Sequence, residues 1–194
     1  MYMDRNQLME SVRAQMPEKR WNHTLGVMQT AVELAKRYGV DEQQADLAAI
    51  LHDVAKYWRT DTMEEIMRGN PELEPLLTQD KELWHAFVGA VVAERDYGIT
   101  DPLVLDAIRY HTSGREKMTM LDKVVCLADY IEPGREFPGV DKIRELAKDS
   151  LERALIAGFD STLSFLIERG KRIFPLTVLA RNDLIMTLKE EADV

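Results

Sequence analysis

The chain has 194 residues, of which 45% are hydrophobic and 30% charged, and a formal net charge of −9. This is ordinary globular usage, long enough for one well-buried domain spanning 1–194. With no basic stripe and no interleaving of aromatics with cations, the charge excludes a general nucleic-acid binder. It does not exclude a phosphorylated small substrate, because a metal ion and a few placed cations can set the local potential.

No apolar run of about 18 residues is present, which excludes a membrane span, and the N-terminus has neither the basic start nor the apolar stretch of a signal peptide. The expectation is a cytosolic protein with no membrane partner. The lone Cys126 lies in the apolar run from Leu121 to Ile131 and reads as a small core residue, in keeping with a reducing compartment.

In chain order, a first helix is expected from Asp4 to Met16, stopped at Pro17. A second, from Glu18 to Tyr38, carries Leu25, Met28, Val32 and Ala35 on one face and ends at Gly39. Asp41 reads as an N-cap with Gln44 in capping-box position, opening a central helix through Trp58. Asp61 and Glu64 repeat that signal for a short helix ending at Gly69, and Asn70 to Pro75 is turn-like. Lys81 to Tyr97 is helical up to Gly98, and Asp101-Pro102 starts a helix that runs to about Tyr110. His111-Thr-Ser-Gly114 is a polar turn, Thr119 to Ile131 is helical, and Pro133-Gly134 closes it. Three more helices are expected over Asp141–Ala147, Ser150 to about Ile173, and Pro175 to about Leu188, with Gly158 and Asp160 interrupting the middle one. Without any period-2 strand signal or internal repeat, the fold class is all-α.

The central segment, Leu47 to Trp58, sets an imidazole and a carboxylate side by side at His52 and Asp53 in an otherwise apolar run. Ala45, Ala48, Leu51 and Ala55 follow the helical period, so an unpaired Asp53 there would cost several kcal/mol. A metal ion removes that cost. Adjacent helical positions lie about 100° apart, so the two side chains can straddle one ion, and Lys56 returns on the face of Asp53 three residues later.

The remaining histidines fall on similarly inward positions. His23 is followed by Gly26, a gap through which another element can approach; His85 shares a face with Val88, Gly89 and Val92; His111 sits just past a helix C-terminus. Asp129 lies on the face of Leu121 and Val125. Taken singly, each reads as a core histidine or a capped aspartate. Jointly they match the nitrogen and oxygen ligand set of a first-row transition metal, and the lack of cysteine ligands disfavours a structural zinc.

His23, the His52-Asp53 doublet and Asp129, in that order, resemble the H…HD…D signature of the HD superfamily of metal-dependent phosphohydrolases. The fuller set sharpens this: His52-Asp53-Val-Ala-Lys56, His85 followed by Gly89, His111-Thr112-Ser-Gly114, and Ala128-Asp129-Tyr-Ile-Glu-Pro-Gly-Arg135. Together they resemble the YqeK-like subgroup, bacterial symmetrical diadenosine tetraphosphate hydrolases. The resemblance implies an HD-domain helical bundle, its metal-site core at about 18–135 and additional C-terminal helices at about 141–190. It implies that His23, His52, Asp53 and Asp129 bind a metal, with His85 and His111 turned towards the same cleft; six candidate ligands leave room there for a second ion, with His85 and His111 as the candidates to hold it. Iron is the implied ion; manganese, cobalt or zinc also suit the donors.

The implied reaction is hydrolysis of a dinucleoside polyphosphate to nucleoside diphosphate, with Asp53 and Lys56 as the catalytic residues. His23, Asp53, His85, His111, Thr112, Asp129 and Arg135 would contact the substrate. Alternatives are an HD phosphohydrolase for a nucleoside monophosphate or cyclic nucleotide, and a nucleotide-sensing module without turnover. The short amphipathic helices also leave room for a homodimer. Lys171 to Thr177 combines two cations with an aromatic, a string more often found at a helix end than at a binding site.

Overall fold

A computed structural model describes residues 4–192, and among these there is no β-strand. Ten helices follow in order: α1 Arg5–Arg13, α2 Glu18–Tyr38, α3 Glu42–Leu51, α4 Thr60–Arg68, α5 Trp84–Tyr97, α6 Pro102–Tyr110, α7 Met120–Ile131, α8 Val140–Leu146, α9 Leu151–Glu168 and α10 Pro175–Ala192. Two 3₁₀ turns, Glu74–Thr78 and Lys81–Leu83, lie between α4 and α5. The all-α expectation holds.

Capping chemistry sets several of these boundaries. Asp4 closes a reciprocal capping box with Gln7 at the start of α1, and Thr119 does the same with Asp122 at α7. Asp41 caps α3 through the amides of Gln43 and Gln44, but the Gln44 side chain reaches Asp101 at 2.7 Å instead of returning, so the box is left open. Asp61 is not a cap: α4 begins one residue earlier, and Arg59 holds the Asp61 carboxylate in an exposed fork. The segment from Lys81 enters α5 through a 3₁₀ turn, and the long helix of the last third stops at Glu168 ahead of Gly170, which has φ +60.

The central helix also differs from its sequence-based expectation, and this difference shapes the site. α3 stops at Leu51, and the chain from His52 to Tyr57 continues as tight turns whose amides bond three residues back: Val54 to Leu51, Lys56 to Asp53 and Trp58 to Ala55. His52 caps the helix end, its Nδ1–H donating to the Ala49 carbonyl at 2.7 Å. The helical period over Ala45 to Leu51 is real, but beyond it the imidazole takes up one of the unpaired carbonyls of the last turn.

α2 packs against α3 and α7, α6 against α3, α5 and α7, and this group encloses the core. α9 rests on α7, and α8 and α10 rest on α9. One cluster of buried apolar side chains extends from Leu8 in α1 to Leu184 in α10, and Cys126 lies inside it. Gly158 does not interrupt α9. A Cβ at that position would come within 3.2 Å of the Tyr130 ring, so the glycine lets α9 lie close to α7.

Gly114 ties the C-terminal helices to the polar turn after α6. It has φ +66, and a Cβ there would lie 2.6 Å from Phe159 of α9 and 2.8 Å from Ala180 of α10. Left-handed backbone and overpacking both penalise a side chain, so Gly114→Ala is expected to destabilise the protein by on the order of 2–4 kcal/mol. Thermal melting checks it, and an unchanged midpoint would contradict the packing described.

Candidate metal centre

Six side chains from five segments meet between α2, α3, α5, α6 and α7. His23 comes from the second turn of α2, His52 from the end of α3, Asp53 from the turns after it, His85 from the start of α5, His111 from the end of α6, and Asp129 from the last turn of α7. One ligating atom each of His23, His52 and Asp129 lies within 4.8 Å of the other two, and the same holds for His52, Asp53 and His111. The structure therefore brings together every metal-ligand residue singled out from the sequence.

Three of the imidazoles are oriented by one device. The Nδ1 atoms of His52, His85 and His111 lie 2.7, 2.8 and 2.7 Å from the carbonyls of Ala49, Glu82 and Ile108, in each case three residues back. A carbonyl can only accept, so Nδ1 carries a proton and Nε2 is the atom turned to the centre. The His85 and His111 Nε2 atoms are 3.3 Å apart. Two lone pairs at that distance repel unless a cation or proton lies between them.

His23 is held differently. Its Nδ1 lies 3.0 Å from Glu132 Oε1, while Glu132 Oε2 accepts from the Gly134 amide at 2.6 Å. A Cβ on Gly26 would lie 2.4 Å from that oxygen, so the gap after His23 admits a carboxylate from the end of α7. Sequence reasoning noticed the gap and quoted Glu132 within a motif, but gave Glu132 no role.

Asp53 is fully buried. His52, His85 and His111 Nε2 crowd its oxygens at 3.0, 3.2 and 3.7 Å, and Arg20 forms an ion pair with it, yet neither oxygen receives an aligned hydrogen bond. Burial acts to raise its carboxyl pKa, but the neighbouring His52, His111 and His85 outweigh it and hold Asp53 well below the usual carboxylate range. Asp129 is likewise depressed: burial raises it, while His23, Arg135 and His52 prevail. Burial pulls His85 down to about 4, against the opposing pull of Asp53, so it is neutral at physiological pH. The centre thus offers ionised carboxylates and an imidazole in its ligating form.

The residues fit a transition-metal ion. His23 Nε2, His52 Nε2 and both Asp53 oxygens are buried without a hydrogen-bond partner, which is costly for a purely structural cluster. Imidazole and carboxylate donors without thiolates suit zinc, iron, manganese or cobalt alike.

Around the ligands, Arg135 donates to the Asp129 carbonyl at 2.7 Å and to Asp129 Oδ1 at 2.5 Å. Thr112 Oγ1 lies 3.1 Å from His111 Nε2. Lys56 sits at the rim, paired with the exposed Glu82 at 3.0 Å and close enough to His85 to help depress its pKa. Arg20, like Glu132, has no role in the sequence-based reading. Its signal is the i, i+3 spacing to His23, which sets both on one face of α2. Arg172, by contrast, bonds the Thr78 carbonyl at 2.7 Å. Two cavities reach the cluster, one of about 630 Å³ touching His111, Thr112 and Asp129, the other of about 680 Å³ touching Arg20, His23 and Glu132; Arg135 lines both.

Helix ends that converge imidazoles and aspartates on one buried point define a helical metal-binding domain. A family model described as HD domain matches residues 20–134, and the chain belongs to that family. It is 47% identical over 183 residues to a symmetrical bis(5'-nucleosyl)-tetraphosphatase of Bacillus subtilis (strain 168), covering 94% of this chain and 98% of that protein. A protein of the same name from Halalkalibacterium halodurans is 43% identical over 187 residues, covering 96% and 100%. A crystal structure described as a predicted HD superfamily hydrolase involved in NAD metabolism, from Clostridium acetobutylicum, superposes with a TM-score of 0.91 at 39% identity, covering 95% and 98%.

Glu132 generates a direct test. Glu132→Ala frees the His23 ring, and metal affinity is expected to fall about 10–100-fold, the usual cost of losing a partner that orients a ligand. Helical circular dichroism should persist. Competition titration with a chelating dye reads the affinity, and a native value would show that His23 does not depend on Glu132.

Proposed function

We propose that this protein is a metal-dependent phosphoanhydride hydrolase that cleaves diadenosine tetraphosphate symmetrically into two ADP. The single observation that carries the reading is the buried Asp53 with both oxygens free of hydrogen bonds, ringed by imidazole Nε2 atoms. The close relatives carry that substrate class in their names. His23, His52, Asp53 and Asp129 would hold the first ion, with His85 and His111 available to a second, and iron is our assignment for the metal. A bound ion of this kind supplies Lewis acidity to a phosphoryl oxygen and lowers the pKa of water towards 7.

The chain's own residues supply the rest. Asp53 is assigned to orient the attacking water, because its oxygens alone among the site's carboxylates accept no aligned hydrogen bond. Arg20 and Arg135 offset the charge that builds up on the phosphoryl oxygens, and Thr112, beside His111, donates to a non-bridging oxygen. Lys56 joins them by leaving Glu82, since an exposed ion pair of that kind is worth about 1 kcal/mol or less. The complete ligand set is one for which a sensing module without turnover has no need. We assign the protein to the cytosol, a reading that the lone, buried Cys126 supports.

A fixed nucleoside pocket and a metal held by helices act as a ruler. Attack falls on the second phosphorus from the bound nucleoside, so diadenosine triphosphate is expected to give ADP and AMP, and the pentaphosphate ADP and ATP. The ruler is strict because a misplacement of about 1 Å can cost ~100-fold in rate. Chromatography of early products checks it; AMP and ATP from diadenosine tetraphosphate would sink the reading even with the ligands correctly assigned.

A further inference from the structure

Two aromatic rings stand far out of the protein: Phe165 on α9, 51% exposed, and Tyr57 in the turns after α3, 55% exposed. Isolated exposed aromatics are common and call for no explanation by themselves. These two, however, coincide with the two openings onto the metal centre, Phe165 lining the cavity at His111 and Asp129, and Tyr57 the cavity at Arg20 and His23. Each cavity therefore joins one exposed ring to one side of the ligand cluster.

The chemistry of the two cavities differs. The Phe165 cavity has walls of Tyr130, Phe137 and Pro138, hydroxyls from Ser161 and Ser164, and Arg135 as its one cation. The Tyr57 cavity carries Lys19, Arg20 and Arg135 with the amides of Asn22 and Gln29. At about 630 and 680 Å³ each is large enough for a nucleoside. The first is suited to a base and sugar, the second to a nucleotide half with its phosphates. Arg169 lies over the Phe165 ring at 4.6 Å and braces it on one face.

We propose that the two cavities are the two nucleoside subsites of a dinucleoside polyphosphate, Phe165 stacking one base and Tyr57 the other, with the phosphate chain crossing between them past Arg135. This rests on the substrate class proposed above. Stacking on an aromatic ring accepts any base, because every base has a π-face. Selectivity then lies in having two bases at the right separation, which a mononucleotide cannot satisfy. Arg135, the residue common to both cavities, sits where the middle phosphates must pass.

Phe165→Ala and Tyr57→Ala change exposed side chains and should leave the fold intact. In the metal-loaded protein each is expected to raise KM for diadenosine tetraphosphate about tenfold with kcat within about twofold, on the scale of one lost base stack. Calorimetry supplies a readout independent of turnover: Phe165→Ala should weaken adenosine binding about tenfold, Tyr57→Ala should weaken ADP binding about tenfold, and both should leave pyrophosphate binding unchanged. Native KM in both variants, or ADP and pyrophosphate weakened alike, would overturn the proposal. If the native protein fails to cleave any dinucleoside polyphosphate, the reaction assigned above falls, and adenosine and ADP binding against pyrophosphate binding still decide whether Phe165 and Tyr57 receive bases.

Discussion

The structure depends on a carboxylate that the protein buries without bonding. Asp53 lies at the centre of the bundle, fully enclosed, with three imidazoles and a guanidinium around it and no aligned hydrogen bond to either oxygen. A charged group in that position costs several kcal/mol unless something compensates for it. The imidazoles hold it ionised and Arg20 pairs with it, but none of them gives either oxygen an aligned hydrogen bond. The neighbouring His85 and His111 Nε2 atoms face each other at 3.3 Å while each Nδ1 donates to a carbonyl. A cation at this point answers both, and the rest of the fold can be read as the apparatus that keeps these atoms converged.

That apparatus uses helix ends. His52 and His111 cap α3 and α6, His85 lies in the first turn of α5, and Asp129 in the last turn of α7. Helix termini have unpaired backbone groups, and three of the imidazoles take up a carbonyl three residues back. One contact thus satisfies the backbone and sets the tautomer. α2 contributes His23 from its second turn, inside the helix, where no carbonyl is free, and there Glu132 takes over through the space left by Gly26. Further out, Gly158 and Gly114 bring α9 and α10 against α7 and the His111 turn, so the C-terminal helices form the wall that carries Phe165.

Most of this was legible in the sequence because the ligands are rare residues in apolar runs. Helical period marks His52, Asp53, His85 and Asp129 as inward, a glycine gap and a helix end mark His23 and His111, the resemblance to HD phosphohydrolases gives them their roles, and the helical order follows from caps and glycines that act locally. What escaped was long-range or subtly local. The end of α3 at Leu51 was hidden because Val54 and Ala55 are also buried and prolong the apolar pattern after the backbone has tightened. Glu132 and Arg20 were overlooked as site residues because charged groups near turns usually face solvent; only the packing of α7 on α2 shows what they touch. The reading of Gly26 as a point of close approach was sound, but its partner lies 106 residues away in the chain.

The central claim is that these six side chains exist to hold metal, and elemental analysis tests it most directly. Protein prepared without chelators, and its Asp53→Ala and His52→Ala variants with intact helical circular dichroism, should be compared for first-row transition metal per chain. The account predicts about one ion or more in the native protein, and loss of it in both variants. Native metal content in either variant would contradict it.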